Sequence, residues 1–508
     1  MEKKKYELGK RKYVLGGIAC VIIFTYILRL FTLQLLSEDF KKNADSNAFL
    51  KHILFPARGA IIDRNGKLLV YNQPAYDIMV VMKEQEGVDT VDLCNTLGIT
   101  PEWYRRRMDE IRDPRRNPGY SRYTQQLFMS QLSAEEFSTF REKLFCYPGF
   151  YIQKRSIRQY SFPYAAHVLG DVGEVGPKDI ERDDYYRSGD YIGKLGIERQ
   201  YEEQLRGEKG VEILLRDSRG RIKGRYQDGK FDEPPVPGKN LTLSIDVDLQ
   251  ALGERLMTGK KGGIVAIEPS TGEILCMVSS PTYDPDQLMG RDRGSNYVEM
   301  LNNPRQPLFN RAVMSSYPPG STFKLVNGLI GLQEGVVTPS MEYACNEGYH
   351  VGRGVKCHNH RSPLDLREAV SNSCNAYFCH VFRNILDNPK RGGIGEGGYD
   401  NWEEYVRSFG FGKKLGSDFP SELGGNIPDS KYYNKVYRKG GWKATTVISL
   451  SIGQGEIGCT PLHLANLCAT IANRGFYYTP HIIKDSENVT IDQKYKEKNY
   501  TMVDTTHF

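Results

Sequence analysis

An apolar stretch near the start of the chain constrains its fold and location more than any other feature. Residues 14–36 read VLGGIACVIIFTYILRLFTLQLL and carry one charge, Arg29. At about 1.5 Å per residue, a helix of this length spans the ~30 Å hydrocarbon core of a bilayer. Six Lys or Arg and two Glu residues precede the stretch, which predicts a cytoplasmic tail over 1–13 and later residues outside the cytoplasm. No small-residue cleavage site follows, so we favour a transmembrane anchor over 14–36 rather than a signal peptide.

The overall composition excludes several other classes of protein. Lys and Arg outnumber Asp and Glu by 68 to 62 in 508 residues. A net charge of +6 over this length does not indicate a nucleic-acid-binding protein. Ten cysteines in so long a chain do not form a disulfide scaffold. The length allows about three domains, so we expect a folded, multidomain protein beyond the anchor.

Two regions that differ in amino-acid composition follow the predicted anchor. The first is charged and rich in tyrosine, and it ends at the sequence DEPPVPG, residues 232–238. That sequence cannot form a helix or a central strand and indicates a linker. We therefore predict one domain over 37–237 and a second over 238–508.

Turn and periodicity signals predict the elements of the second region. The turn Pro269-Ser-Thr-Gly272 has glycine where a positive φ is needed and joins two apolar runs, which predicts a hairpin. The expected elements are a strand over 240–245, a helix over 247–257, hairpin strands over 263–267 and 273–279, and helices over 321–334, 364–385, 402–409 and 461–473.

The sharpest local feature is the sequence Ser315-Ser-Tyr-Pro-Pro-Gly-Ser-Thr-Phe-Lys324. Its Pro-Pro-Gly leads into a predicted helix, so Ser321 falls at or near the helix start and Lys324 lies one turn later on the same face. A serine there gains from the helix dipole and exposed amides, which favour a developing oxyanion. A neighbouring lysine can remove its proton if burial keeps the amine neutral. The alternative is a capping serine beside a solvated lysine.

A second candidate is the sequence Ser371-Asn-Ser-Cys-Asn375, within a predicted helix–break–helix about 50 residues after Ser321. Ser373 could relay a proton, and Asn375 could hold a substrate amide. Ordinary capping at a helix junction is the alternative.

Longer segments support an enzymatic interpretation. They are Arg58-Gly-Ala-Ile-Ile-Asp-Arg-Asn-Gly66, Phe162-Pro-Tyr-Ala-Ala-His-Val-Leu-Gly170, Gly193-Lys-Leu-Gly-Ile-Glu-Arg-Gln-Tyr-Glu-Glu-Gln-Leu-Arg-Gly207, Val265-Ala-Ile-Glu-Pro-Ser-Thr-Gly-Glu273 and Ser451-Ile-Gly-Gln-Gly-Glu456. Together with the Ser321/Lys324 and Ser373/Asn375 pairs, and in this order, they resemble class B penicillin-binding proteins of the elongation type, the penicillin-binding protein 2 family. The resemblance covers nearly the whole chain. It implies an α+β architecture: an N-terminal transmembrane helix, an elongated pedestal or dimerisation domain, and a serine DD-transpeptidase domain with an antiparallel sheet flanked by helices.

The resemblance also implies a function, peptidoglycan cross-linking during cell elongation. Ser321 would attack the penultimate D-Ala carbonyl of a stem pentapeptide, with Lys324 as the base, Ser373 as a proton shuttle and Asn375 as a substrate-binding residue. No cofactor is required for catalysis, and β-lactams would acylate Ser321. The implied partners are stem peptides, a SEDS-family glycan polymerase and elongation-complex proteins at the bacterial inner membrane, with no nucleic acid.

One departure concerns the third family motif, Lys-Thr/Ser-Gly, on a strand beside the nucleophile. The sequence has no such triplet and stops at Thr505-Thr-His-Phe508. We therefore expect the second domain to be truncated before this motif, to lack its last strands and to be inactive as it stands. A non-catalytic scaffold of the cell-wall elongation complex is the rival function.

A cysteine and histidine cluster adds a metal hypothesis. Cys345, Cys357, His358, His360 and Cys374 lie within 30 residues, and thiolates with an imidazole suit tetrahedral zinc. Some elongation-type relatives carry zinc beside the active serine on a Cys at the position of Cys374 and a His in a loop before it, so the resemblance implies one structural zinc on Cys374 and His360. Cys345 and Cys357 would replace ligands that are often Asp in the family. His360 is preferred over His358 because the loop beyond Cys357 can fold back. A Cys345–Cys357 disulfide and free thiols stay open as alternatives.

Overall fold

The computed structural model describes residues 11–31, 49–117, 120–132, 134–216, 222–290, 292–352, 354–391, 396–484 and 489–508. Its strands are β1 (Phe49–Leu54), β2 (Ile61–Ile62), β3 (Leu68–Val80), β4 (Gln126–Leu132), β5 (Phe150–Tyr160), β6 (Val172–Glu174), β7 (Tyr191–Gly193), β8 (Gly210–Arg216), β9 (Ile222–Arg225), β10 (Leu241–Thr242), β11 (Gly262–Ile267), β12 (Ile274–Ser280), β13 (Gly348–Tyr349), β14 (Val355–Lys356), β15 (Phe476–Tyr478) and β16 (Lys498–Tyr500). Its α-helices are α1 (Arg11–Phe31), α2 (Thr90–Leu97), α3 (Pro101–Arg112), α4 (Ala134–Lys143), α5 (Ala166–Leu169), α6 (Pro177–Arg182), α7 (Gly196–Gln200), α8 (Glu202–Arg206), α9 (Val247–Leu256), α10 (Arg293–Asn302), α11 (Arg311–Met314), α12 (Phe323–Gln333), α13 (Leu366–Ser371), α14 (Asn375–Leu386), α15 (Glu396–Ser408), α16 (Ser430–Tyr437) and α17 (Pro461–Ala472).

The N-terminal apolar sequence forms α1, which covers the first part of the predicted anchor. Residues 32–36 of that prediction lie outside the described residues. Within the described parts of the chain, no helix combines the length and the apolar character needed to cross a membrane. The predicted transmembrane helix is therefore not confirmed.

The region from residue 49 onward is built around the long strand β3. Strand β5 pairs antiparallel with β3 from Val70 to Val80, and β4 pairs with the C-terminal half of β3. One face of this sheet packs against α2, α3 and α4, where Ile78 and Phe128 lie in a buried cluster with Phe140. A separate antiparallel sheet has the order β1-β8-β9.

The two predicted regions share a hydrophobic core. Strand β10 pairs in parallel with β2, which joins the start of the second region to the first. A single buried cluster includes Ile61 and Ile197 from the first region and Ile245 and Leu462 from the second. The predicted strand over 240–245 is shorter than expected, because beyond Thr242 the chain makes only an isolated bridge to another loop.

The core of the second region surrounds α12 and α14. Phe323 on α12 and Phe378 on α14 are fully buried in the same cluster as Trp402. The helices approach closely at Gly331, where an added Cβ would lie 2.8 Å from Val381 Cγ1. This packing fixes the two helices that carry the candidate site.

The expected elements of the second region are largely confirmed. The hairpin forms between β11 and β12, with Gly263 opposite Ser279, and the helices expected over 247–257 and 461–473 correspond to α9 and α17. The helix expected over 402–409 begins earlier, at Glu396. The helical segment expected over 364–385 is divided into α13 and α14, and the break predicted at Ser371–Asn375 is confirmed, with Ser373 at a φ of 48°. The predicted mixture of helices and sheet is confirmed.

Candidate active site

Ser321 lies on the 3₁₀ turn Gly320–Thr322, immediately before α12, and is exposed. The prediction that Ser321 lies at or near a helix start is therefore confirmed, and the α-helix itself begins two residues later, at Phe323. The turn is held by a glycine contact: the Gly320 N–H donates to the Gly453 carbonyl at 2.9 Å. A Cβ on Gly453 would lie 2.3 Å from the Gly320 oxygen, so this approach requires glycine. The Ser451–Glu456 sequence thus supports the backbone beside Ser321.

Lys324 is buried one turn later, with 3% of its surface exposed. Its Nζ donates to the Ser373 carbonyl at 2.7 Å, to Ser373 Oγ at 3.0 Å and to Asn375 Oδ1 at 2.6 Å. None of these acceptors is a carboxylate. Burial lowers the pKa of Lys324, against a weaker opposing effect of nearby thiols. This environment favours the neutral amine that a general base needs.

The break between α13 and α14 positions Ser373 and Asn375. Cys374 precedes α14 as its N-cap, and its Sγ accepts from the Tyr377 N–H at 3.4 Å. The Asn375 amide is held at both ends, since Nδ2 donates to the Lys356 carbonyl at 2.8 Å while Oδ1 accepts from Lys324. The structure therefore brings Lys324, Ser373 and Asn375 together, with the exposed Ser321 hydroxyl on the turn that precedes Lys324.

The four predicted metal ligands also meet. One ligand atom from each of Cys345, Cys357, His360 and Cys374 lies within 4.8 Å of the others. Thiolates on a tetrahedral zinc are about 3.8 Å apart, given Zn–S distances of about 2.3 Å, so the spacing fits. His358 is not in the group, although its Nδ1 lies 4.0 Å from Cys357 Sγ. Cys345 and Cys357 are free thiols in the structure and not the alternative disulfide.

Hydrogen bonds orient the cluster for ligation. His360 Nδ1 contacts the Arg361 carbonyl at 2.6 Å, which favours the tautomer with a proton on Nδ1 and leaves Nε2 free, 3.5 Å from Cys357 Sγ. Burial works to raise the pKa of Cys357, but the Asn375 N–H and His360 outweigh it and lower that pKa to about 7. Burial raises the pKa of Cys374 to about 12. The donor set is therefore a histidine with an available nitrogen and three thiols, one of them readily ionised.

Sequence reasoning missed a buried polar link behind the nucleophile. Asn327, one turn beyond Lys324, is fully buried and donates to the Ser451 carbonyl at 2.9 Å. Its Oδ1 accepts from Trp402 Nε1 at 2.8 Å. A polar side chain three residues after Lys324 on an otherwise apolar helix was the available signal.

Comparisons with known proteins agree on one family. The profile described as "Penicillin-binding Protein dimerisation domain" matches residues 53–243, and that described as "Penicillin binding protein transpeptidase domain" matches residues 262–507. A protein named peptidoglycan D,D-transpeptidase MrdA, from Acinetobacter baumannii, is 33% identical over 498 residues, which is 95% of this chain and 70% of the relative. The truncation expected from the missing third motif stays a prediction.

Two solved structures share the fold. The complex between penicillin-binding protein PBP2 and MreC from Helicobacter pylori is similar with a TM-score of 0.70 at 23% identity, over 88% of this chain and 82% of that one. A structure titled "Structural coordination of polymerization and crosslinking by a peptidoglycan synthase complex" gives a TM-score of 0.63 at 25% identity, over 95% of this chain and 81% of that one.

Proposed function

The chain belongs to the penicillin-binding protein family that joins a dimerisation domain to a transpeptidase domain, and we propose that it is a peptidoglycan D,D-transpeptidase acting through Ser321. Its relatives are named for this activity, which favours the enzyme over a non-catalytic scaffold. The structural observation that carries the residue assignment is the buried Lys324 amine, which contacts Ser373 and Asn375 and, among the residues that the structure describes, no carboxylate.

The proposed reaction begins with proton transfer from Ser321 Oγ to the neutral Lys324 Nζ. The Ser321 oxygen forms an ester bond with the carbonyl carbon of the penultimate D-Ala, and the peptide C–N bond to the last D-Ala breaks. Ser373 Oγ, 3.0 Å from Lys324 Nζ, returns the proton to the leaving amine. An amine of a neighbouring stem then attacks the ester carbonyl carbon, so that a new amide C–N bond forms, the ester C–O bond breaks, and the amine proton passes through Lys324 Nζ to Ser321 Oγ. Asn375 holds the Lys324 amine and is the residue proposed to bind the substrate amide.

Covalent labelling tests this assignment. In the full gene product, Ser321→Ala should abolish labelling by fluorescent penicillin, while Ser316→Ala, on the same exposed loop, should retain it. Lys324→Ala should slow labelling severely, because an unactivated hydroxyl is a poor nucleophile at neutral pH. Undiminished labelling of Ser321→Ala would place the nucleophile elsewhere.

We propose that Cys345, Cys357, His360 and Cys374 hold one structural zinc ion. The four donors suit zinc in type and spacing. Zinc would supply a cross-link between the loop that carries Cys357 and the start of α14, and so would fix the segment that carries Ser373 and Asn375. No catalytic step requires a cofactor.

We also propose that the protein acts in the cell envelope, anchored by residues 14–36, beside a glycan polymerase. The basic residues before Val14 and the apolar run support the anchor. The similar solved structure of a peptidoglycan synthase complex, which coordinates polymerization and crosslinking, supports a glycan polymerase as the partner. Protease added to spheroplasts should digest residues after Leu36. Protection of that region would contradict the orientation.

A further inference from the structure

A cavity whose lining does not include Ser321 lies between the two regions of the protein. It has a volume of about 320 Å³. Most of its wall comes from residues 55–209, and Met289, Gly290, Arg293 and Gly294 complete it from the second region. Arg293 joins the two sides by an ion pair with Asp171, and its guanidinium fills space left open by Gly173, where a Cβ would lie 2.7 Å from Arg293 Cζ. A ligand in this cavity would contact both regions.

The described wall of the cavity is rich in cations. Its lining includes six cationic side chains and two carboxylates. The cations are Arg58, Arg155, Arg158, Arg206, Lys209 and Arg293, and the carboxylates are Glu174 and Asp190. Other carboxylates pair with these cations but are not among the lining residues: Asp77, Asp171, Asp183, Glu198 and Glu202. Apart from Asp190, which pairs with Lys209, the carboxylate partners of these cations therefore lie off the cavity wall.

One of these donors is unused among the described residues, and a second arginine has donors beyond its ion pair. Arg158 is 4% exposed in its side chain and binds Glu198 through Nε and Asn72 through Nη1, but its Nη2 has no hydrogen-bond partner. Arg206 stacks on Tyr185, with Cζ 4.0 Å from the ring centroid, and contacts Asp183 through Nη1 at 2.7 Å. A guanidinium has five N–H donors, so both side chains can bind a further acceptor.

The wall also has one acceptor that lacks a donor. Gln131 donates through Nε2 to the Tyr191 hydroxyl at 3.1 Å, whereas its buried Oε1 has no partner. That oxygen faces the second region, since a Cβ on Gly290 would lie 3.9 Å from it. A ligand that accepts from guanidinium groups and donates one hydrogen bond would satisfy Arg158 Nη2 and Gln131 Oε1 together.

We propose that this cavity binds a phosphate group that carries a hydroxyl, either free hydrogenphosphate or the phosphate of a small hydroxylated ester. Phosphate oxygens accept bidentate and charge-assisted bonds from arginine. The hydroxyl donates to Gln131 Oε1, which sulfate and carboxylates cannot do at neutral pH. Bound phosphate bridges Arg206 and Lys209 of the first region to Arg293 of the second and stiffens their junction. The proposal does not depend on the transpeptidase activity.

Isothermal titration calorimetry on the full gene product tests the site with three probes at matched ionic strength. Inorganic phosphate should bind with a stoichiometry of one, and sodium sulfate should bind at least about tenfold more weakly, because sulfate leaves the buried Gln131 Oε1 without a donor. Glycerol 3-phosphate separates the two sources: tighter binding than phosphate indicates an ester, and weaker binding indicates free phosphate.

Matched variants locate the site. Arg206→Gln should weaken phosphate binding at least about tenfold, and Arg206→Lys should recover part of it. Arg206→Gln should still fold, because its partner Asp183 is 40% exposed in its side chain. Arg225→Gln removes a similar ion-paired arginine outside the cavity and should bind as the parent does. Gln131→Met should remove the preference for phosphate over sulfate. The proposal would be overturned if titration of phosphate into the parent protein released or absorbed no heat of binding. It would also be overturned if Arg206→Gln bound phosphate as tightly as the parent.

Discussion

Replacing Glu198 by glutamine should destabilise the protein strongly without changing the size of the side chain. Glu198 is fully buried on α7. Its Oε2 accepts from Arg58 Nε at 2.7 Å, and its Oε1 accepts from Arg158 Nε at 2.8 Å. Glutamine offers one acceptor and one N–H₂ group, so one guanidinium would face another donor. Two buried guanidinium groups would also lose a shared countercharge.

The expected loss is about 3–5 kcal/mol in the free energy of unfolding, the range for removing one partner of a buried ion pair. For a cooperative unit of about 200 residues, this corresponds to a melting temperature lower by about 6–20 °C. Differential scanning calorimetry of the purified chain measures the shift. Glu102→Gln is the matched control, because its pair with Arg105 is exposed on both sides at 77% and 73%, and it should cost less than about 1 kcal/mol.

The pH dependence has a defined sign. Burial works to raise the pKa of Glu198, but Arg158 and Arg58 outweigh it and lower that pKa. A carboxyl with a lowered folded-state pKa stabilises the protein above its unfolded-state pKa, and that stabilisation is lost as the pH falls through the folded-state value. The parent and Glu198→Gln should therefore converge in acid. A Glu198→Gln melting temperature equal to that of Glu102→Gln at neutral pH would refute the reasoning.

Three further predictions concern the candidate active site. Burial lowers the pKa of Lys324, so the penicillin acylation rate of the full gene product should increase with pH over a range that lies below the pKa of a free lysine. Lys324→Arg should acylate slowly at every pH. A parent pH profile identical to that of Lys324→Arg would exclude Lys324 as the base. Gly453→Ala should slow acylation at least about tenfold, because its Cβ would lie 2.3 Å from the Gly320 oxygen. The control Gly440→Ala, also at positive φ but with no atom within 4 Å of the added Cβ, should acylate normally. Equal acylation rates for the two variants would contradict the proposed support of the Ser321 backbone by Gly453. Metal analysis should find about one zinc per chain, lost in Cys374→Ser and retained in Cys468→Ser, whose thiol is exposed; zinc retained by Cys374→Ser would contradict the ligand set.

The sequence predicted the elements with strong local signals and missed features that depend on distant partners. Pro461 and the Thr460 cap indicate the start of α17, and the apolar runs around the Pro269–Gly272 turn predict the hairpin. The pairing of β10 with β2 joins residues 180 positions apart, as in Leu241↔Ile61, and nothing local specifies it. The short length of β10 follows from that pairing rather than from propensity.

The candidate site shows the same division. Ser321, Lys324, Ser373, the cysteines and His360 could be singled out as candidates from their residue types and spacing, but their roles came from the resemblance to penicillin-binding proteins. The orientation of Asn375 could not, because it depends on the Lys356 carbonyl from another hairpin. The carboxylate network of Glu198 was likewise hidden, since its arginine partners lie 40 and 140 residues away.

The site of β-lactam attachment tests the central claim most directly. The full gene product can be treated with penicillin, digested and examined by tandem mass spectrometry. The account predicts one adduct, on the Ser321 hydroxyl, in the peptide that contains Ser315-Ser-Tyr-Pro-Pro-Gly-Ser-Thr-Phe-Lys324. An adduct on any other serine, with Ser321 unmodified, would contradict it.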